Sequence, residues 1–354
     1  MGRIKVASLF CGCGGMDLGV LGDFEFLDIY YPRSNFDIVY AVDNDKFCTS
    51  IYNSNFDHHC EIKDVREINP VELPDFDLLI GGFPCQSFSI SAQNPPRLGY
   101  KDERGMLFFE MVKILKAKHP RAFIAENVKG ILSANNKKAF PMILKEFANA
   151  GYKVQYYIVN ASKFGVPQKR ERVIIIGFRD ERDKKNFSMS LYIPNSSVLK
   201  DVIDENENEN ESLFFSERAV AGMMAVREKM NKGRAQNPSQ PCNTISAHLA
   251  KVSLNSTDPV LMVGERYRRF SCREAARIQS FPEEFQIDMV SSARQYKAIG
   301  NAVPPVMMWH IANCVQKAFE ITSKDIDMAP SPYAIKEIEF VQGFLFEPPA
   351  QYGE

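Results

Sequence analysis

No run of apolar residues approaches the ~18–20 needed to carry a helix across a bilayer, which argues against a helical membrane span. The opening Met1-Gly2-Arg3-Ile4-Lys5 passes directly into a strand-like segment without a signal-peptide pattern, so a cytoplasmic protein is expected. The 8 cysteines among 354 residues include no Cys-x-x-Cys pair, so neither a disulfide framework nor a structural zinc site of familiar spacing is expected. Cys11-x-Cys13 lies in a glycine-rich turn, and His58-His59-Cys60 reads as a polar loop before a strand; no metal is expected at either. Excess charge is also missing. The 43 Lys and Arg balance 44 Asp and Glu to a net of -1, which by itself disfavours a nucleic-acid partner.

What is present begins with the distribution of that charge. Residues 201–217 are acidic, whereas residues 218–277 hold eleven Lys and Arg against four Asp and Glu, so the global figure hides a basic segment suited to a phosphate backbone. The first half alternates two kinds of segment. Ile4–Phe10, Ile38–Val42, Leu78–Phe83, Ala122–Glu126, Val154–Val159 and Val173–Phe178 read as buried strands, and Met106–Lys118 and Ala139–Ala150 have helical apolar spacing. Gly151 closes the second helix. Such alternation predicts an α/β fold, a doubly wound, mostly parallel sheet with helices on both faces. The pattern weakens after about residue 180 into a charged, proline-containing stretch, read as a second, smaller, loop-rich domain; Val306–Phe319 then forms an apolar helix expected to return to the sheet. The expected division is 1–180, 181–290, a returning segment 291–325, and a tail 326–354.

Ser8-Leu9-Phe10-Cys11-Gly12-Cys13-Gly14-Gly15 directly follows the first strand, where glycines permit a tight turn and close approach of a ligand to the main chain. The spacing is not a full G-x-G-x-x-G. Asp43 follows the second strand, placed to accept from ribose hydroxyls, and Asp64 follows the next apolar segment, within reach of an adenine amino group. Together they favour an adenosine-containing cofactor without saying which one.

Gly81-Gly82-Phe83-Pro84-Cys85-Gln86-Ser87-Phe88-Ser89 places a cysteine just past a strand end, where open α/β sheets carry their ligands. The next strand ends in Glu126-Asn127-Val128, and Gln168-Lys169-Arg170-Glu171-Arg172 precedes another. A thiol, a carboxylic acid and guanidinium groups thus converge on one sheet edge, a combination that packing alone does not require.

These residues resemble the DNA cytosine-5 methyltransferase family of the bacterial restriction-modification type. The motifs stand here as Phe10-x-Gly12-x-Gly14-Gly15, Asp43, Asp64, Gly82-Phe83-Pro84-Cys85-Gln86, Glu126-Asn127-Val128, Gln168-Lys169-Arg170-Glu171-Arg172 and Gly300-Asn301-x-Val303, across roughly residues 4–180 and 240–320. The resemblance implies the S-adenosylmethionine-dependent methyltransferase fold with a target-recognition domain. It implies methylation of cytosine C5 in duplex DNA, with Cys85 as the nucleophile adding to C6. Glu126 would bond the N3 and N4 edge, Arg172 would contact O2, and Arg170 would position the loop or a phosphate. The cofactor is S-adenosyl-L-methionine, held by Phe10, Gly12, Gly14, Gly15, Asp43, Asn44, Asp64, Val65, Pro84, Leu107, Asn301 and Val303. Asp43 stands where the family often has glutamate. The target base must leave the stack, and Ser89, Ser91 and Gln93 fall in a segment resembling the family's closing loop. The reader of the DNA sequence would be about residues 180–240, ending at Pro241-Cys242-Asn243-Thr244-Ile245, with Arg227, Arg234, Arg266, Arg268 and Arg269 as candidate contacts, Lys229 and Lys232 beside them. The expected partners are double-stranded DNA and, functionally, a cognate restriction endonuclease; the expected state is a monomer, cytoplasmic and nucleoid-associated. The Cys-Phe-Thr signature of the family's tRNA-methylating branch is not visible.

Overall fold

Seven short apolar runs pair into one sheet in the computed structural model, which describes residues 2–84, 107–189, 196–222, 235–251 and 258–320. In chain order they are β1 (Ile4–Leu9), β2 (Phe36–Asp43), β3 (Cys60–Ile62), β4 (Leu78–Gly81), β5 (Ala122–Val128), β6 (Lys153–Asn160) and β7 (Glu171–Phe178). Their spatial order is β3-β2-β1-β4-β5-β7-β6, with every neighbouring pair parallel up to β5 and β7 antiparallel to both its neighbours. The chain leaves β1 toward one edge and returns to place β4 on its other side. That reversal opens a crevice beyond the strand ends, where sheets of this kind bind ligands. Because β7 runs against β5, its first residues reach the same edge as the last residues of β1, β2, β4 and β5.

The helices are α1 (Gly15–Leu21), α2 (Lys46–Asn55), α3 (Leu107–Lys118), α4 (Ala139–Asn149), α5 (Glu181–Asn186), α6 (Cys272–Ile278), α7 (Ser292–Asn301) and α8 (Pro305–Glu320). The two-residue period of the strands divides the core into two layers. Ile174, Ile176 and Phe178 face the layer that includes Val20, Ile51, Val306, Met307 and Ile311 of α1, α2 and α8. Val173 and Ile175 face the layer of Phe108, Met111, Leu115, Ile143 and Phe147 on α3 and α4. Each such side chain, removed from water, contributes about 1.5–3 kcal/mol. Leu199, Ile245, Leu261, Phe270 and Phe281, from the loop-rich second half, belong to the first of these layers.

Local chemistry sets the helix limits. Asp45 accepts from the backbone N–H groups of Phe47 and Cys48 at the start of α2. Ser271 and Glu274 form a reciprocal capping box on α6. Pro305 opens α8, where its missing N–H costs nothing. Ala150 caps α4, and Gly151 follows with φ +93°. The expected elements occur nearly as read, with three differences. β1 stops at Leu9 because Phe10 turns to φ 55°. The strand expected after His58-His59-Cys60 begins at Cys60 itself and pairs with β2, and Phe24–Phe26 and Ile29–Tyr31 form a hairpin that the pattern did not announce. No described helix is long and apolar enough to cross a membrane. The expected tail lies outside the described residues.

Candidate active site

A cavity of about 760 Å³ occupies the crevice beyond β1, β2, β4 and β5, within the range of small-molecule sites. Phe10 lines it immediately after β1, in a left-handed conformation that is costly for a bulky residue and that recurs at ligand sites. Gly12, Gly15, Asp43, Asn44, Pro84, Asn301 and Val303 also line it, as expected. Asp43 is largely buried. Its two oxygens accept from the N–H groups of Gly12 (2.9 Å) and Asp45 (2.8 Å), so one carboxylate orders the glycine turn and the loop after β2 together. Burial raises its pKa, and these N–H donors oppose the rise.

Four expected cofactor residues do not line the cavity. Gly14 has φ +91°, and a Cβ there would meet the Phe56 ring at 2.2 Å, so it serves the turn and its packing against α2. Asp64 is taken by Arg66, whose Nη2 lies 2.8 Å away, and caps a short 3-10 turn. Val65 is buried in the α3–α4 layer, and Leu107 packs against the same layer.

Glu126 lines the far wall and meets Arg172 at 2.8 Å between Oε1 and Nε, with side chains 12% and 9% exposed. The sheet register explains the encounter. Arg172 stands opposite Val128, which puts Glu126 diagonally across on the same face. Burial lowers the pKa of Arg172, and the neighbouring Glu126 carboxylate opposes that. Asn127 donates to the Phe83 carbonyl (2.9 Å), fixing the strand end that leads through Pro84 toward Cys85. Cys85, Ser89, Ser91, Gln93, Arg227 and Arg234 lie outside the described residues.

Of the two roles expected of Arg170, positioning a loop or meeting a phosphate, its contacts are those of the first, whereas the expectation for Arg268 needs correction. Arg170 is not in the cavity. It is fully buried and donates to the carbonyls of Ile245 (3.1 Å), Gly300 (3.0 Å) and Ala302 (3.0 Å), binding the Thr244-Ile245 segment to the turn that carries Asn301. Gly300 permits this closeness, since a Cβ there would lie 2.3 Å from the Ser246 backbone. Arg268 is not available to DNA. It is 0% exposed, forms two 2.8 Å bonds to the buried Glu274 carboxylate, and donates to Asn208. Arg266 is exposed, paired with Glu211 and lying over the Phe214 ring. Arg269 is half-buried, donates to the Ala250 carbonyl and lies over Phe215.

The cavity also brings in residues that the sequence reading passed over, Asp45 and Lys297, together with Asn127, which the reading quoted in a motif without a role. Asp45 carried a readable signal, an acid directly before a helix start. Among the described lining residues the acids are Asp43, Asp45 and Glu126, and the one cation is Lys297. This donor set suits a ligand with hydroxyl groups and a positive charge, as S-adenosylmethionine has. Among the described residues, no group of three or more His, Cys, Asp or Glu is placed to hold a metal ion.

Comparison with known proteins agrees with this geometry. The family model for C-5 cytosine-specific DNA methylases matches residues 4–317. The type II methyltransferase M.FnuDI of Fusobacterium nucleatum is 35% identical, over 91% of this chain and 96% of its own. M.Bsp6I of Bacillus sp. (strain RFL6), also a type II methyltransferase, is 32% identical over 89% and 99%. The solved structure of the Entamoeba histolytica methyltransferase EhMeth superposes with a TM-score of 0.71 at 18% identity, covering 90% of this chain and 99% of that one, a likeness of fold. With motif residues gathered on one sheet edge and family similarity running through nearly the whole described chain, this protein belongs to the C-5 cytosine-specific DNA methylase family and is a DNA (cytosine-5) methyltransferase.

Proposed function

We propose that the protein methylates C5 of a cytosine flipped out of a short, specific duplex DNA site, through a transient bond between Cys85 and C6, with S-adenosylmethionine as donor. The supporting observation is Glu126, which lines one continuous cavity with the strand end before Cys85 and with Asp43 and is held from behind by Arg172. The cofactor, when bound among Phe10, Gly12, Gly15, Asp43, Asn44, Asn301 and Val303, supplies an electrophilic methyl group on a sulfonium. Cytosine C5 is too weak a nucleophile to take that group unaided. A Cys85 thiolate adding to C6 converts the ring to an enamine and makes C5 reactive. Glu126 holds the N3 and N4 edge and shares a proton as charge builds on N3. Arg172, already fixed to Glu126, meets O2 and offsets the same charge. Once C5 carries the methyl group, a general base takes the C5 proton, the C–H electron pair re-forms the C5–C6 double bond, and the C6–S bond breaks to return Cys85 as thiolate.

Residues 181–290 are proposed as the target-recognition region, 291–325 as the segment returning to the catalytic domain, and 326–354 as a tail. Arg227, Arg234, Arg266 and Arg269 would meet DNA there, and Ser89, Ser91 and Gln93 would close over the flipped base. The type II names of the relatives support a restriction-modification role, in which a monomeric cytoplasmic, nucleoid-associated enzyme protects host DNA from a nuclease acting on the same site.

The test has two arms. Cys85→Ala abolishes methylation, read by bisulfite sequencing of DNA from expressing cells, while calorimetric binding of S-adenosylmethionine stays within about twofold of the parent protein. Duplexes carrying 5-fluorocytosine at the mapped site trap a denaturation-resistant protein–DNA adduct, because fluorine cannot leave as the proton does. Methylation by the alanine variant would refute the covalent role.

A further inference from the structure

A continuous hydrogen-bonded chain runs across the cofactor cavity from its C-terminal wall to its N-terminal one. It begins at Lys297 on α7, whose Nζ lies 2.6 Å from Asp45 Oδ2. The other oxygen of Asp45 caps α2 by accepting from Phe47 and Cys48. The backbone N–H of Asp45 donates to Asp43 Oδ1 at 2.8 Å, and Asp43 Oδ2 accepts from Gly12 at 2.9 Å. One residue further along α7, the Ala298 carbonyl accepts from the Cys13 thiol, a second tie between α7 and the glycine turn. Arg294, one turn earlier on α7, places its guanidinium 4.2 Å from the Phe47 ring centroid. Burial would raise the pKa of Asp45, but Lys297 and the α2 N–H groups outweigh it and hold the carboxyl below its ordinary value, so the bridge stays charged.

We propose that Lys297 is a positioning residue for the adenosine end of the cofactor: by holding Asp45 it fixes the loop that aims Asp43 at the ribose. This rests on the cofactor reading above. The geometry separates two ways in which a lysine could act there. As a bare cation at the cavity wall, it would repel a sulfonium, and its removal would tighten binding of S-adenosylmethionine relative to the neutral product, S-adenosylhomocysteine. As a strut for Asp45 and Asp43, it serves the ribose that both ligands share, and its removal weakens both equally. The 2.6 Å bridge neutralises the ammonium locally and favours the strut.

Calorimetric titration of the full-length protein with each ligand decides the matter. Lys297→Met is expected to weaken S-adenosylmethionine and S-adenosylhomocysteine by the same factor, roughly three- to tenfold for a half-exposed charged pair. Lys297→Arg is expected to recover most of that loss. Asp45→Asn should weaken both ligands as well, and the double variant should fall short of the product of the single effects, since one bridge is removed by either change. In turnover the change should appear in KM for the donor, with kcat at saturation within about twofold. Unaltered affinity in Lys297→Met, or a change confined to the sulfonium ligand, overturns the proposal while leaving the cofactor reading intact. Failure of the parent protein to bind either ligand overturns the cofactor reading and this inference with it.

Discussion

Asp17 shows how much a single residue can decide out of sight of the cavity. It sits fully buried in the first turn of α1, accepting from the Ser8 hydroxyl at 2.9 Å and from the Tyr52 hydroxyl at 3.0 Å. Burial pushes its pKa up to about 7, against the pull of those two hydrogen bonds. An unfolded aspartate releases its proton near pH 4. Between about pH 4 and 7 the folded chain therefore keeps a proton that the unfolded chain has lost. Stability falls as pH rises through that window, and the full penalty, on the order of 4 kcal/mol, is present above it. Asp17→Asn removes the titration while keeping an acceptor for one hydroxyl. The melting temperature of the variant minus that of the parent should therefore climb from pH 5 to pH 8; a difference that is flat or falls with pH contradicts the assignment. The sequence reading put Phe10, Asp43 and Glu126 at the sheet edge, and all three line the cavity. It misjudged Arg268 because a run of three basic positions, Arg266, Arg268 and Arg269, looks like a surface. The clue was the spacing Ser271-x-x-Glu274, a capping box that brings a buried carboxylate to the turn beside Arg268.

Among the described helices, α1 and α8 pack most intimately, and the reason is steric. A Cβ on Gly19 would lie 2.5 Å from the Pro305 carbonyl oxygen and 2.6 Å from the Met308 Cβ. Intrinsic propensity alone favours alanine over glycine inside a helix by about 1 kcal/mol. The obstructing atoms belong to backbone and Cβ positions that no rotamer change can move, and overpacking of that kind costs about 1–3 kcal/mol. The clash wins, so Gly19→Ala should lower the urea midpoint by the equivalent of about 1–2 kcal/mol. A variant at least as stable as the parent would mean the two helices have room to part. The long, strongly patterned elements were legible: the ends of β1, β4, β5, β7, α3, α4 and α8 fall at most two residues from where periodicity and breakers put them. The three-residue strands Phe24–Phe26 and Ile29–Tyr31 were not, because so few residues carry no period and their pairing is decided by tertiary contact.

At the scale of the whole molecule, the cavity is assembled from the two ends of the described chain. Ser8 to Met16 supply one wall and Lys297 to Val303 another, with Asp43 to Cys48, Gly82 to Pro84 and Glu126 to Ser133 between them. Sequence order hides this arrangement, since nothing local in Gly300-Asn301 says that it returns to β1. The sealing contacts are equally long-range: Arg170 holds the Asn301 turn through three carbonyls, Arg121 on the sheet side bonds Asp183 and the Phe319 carbonyl, and α8 lies along α1. A ligand seated in such a cavity binds the assembled chain and has no equivalent site on the unfolded one. At a hundred times its Kd it should add about 2.7 kcal/mol to the stability of the entire cooperative unit, a rise of roughly 4 °C in Tm for a protein of this size. Because the first and last described elements share one core layer with the loop-rich segment between them, that gain should move a single calorimetric transition. Two transitions, of which S-adenosylmethionine shifts only one, would show that the halves fold apart and that the C-terminal wall closes on a sheet already formed.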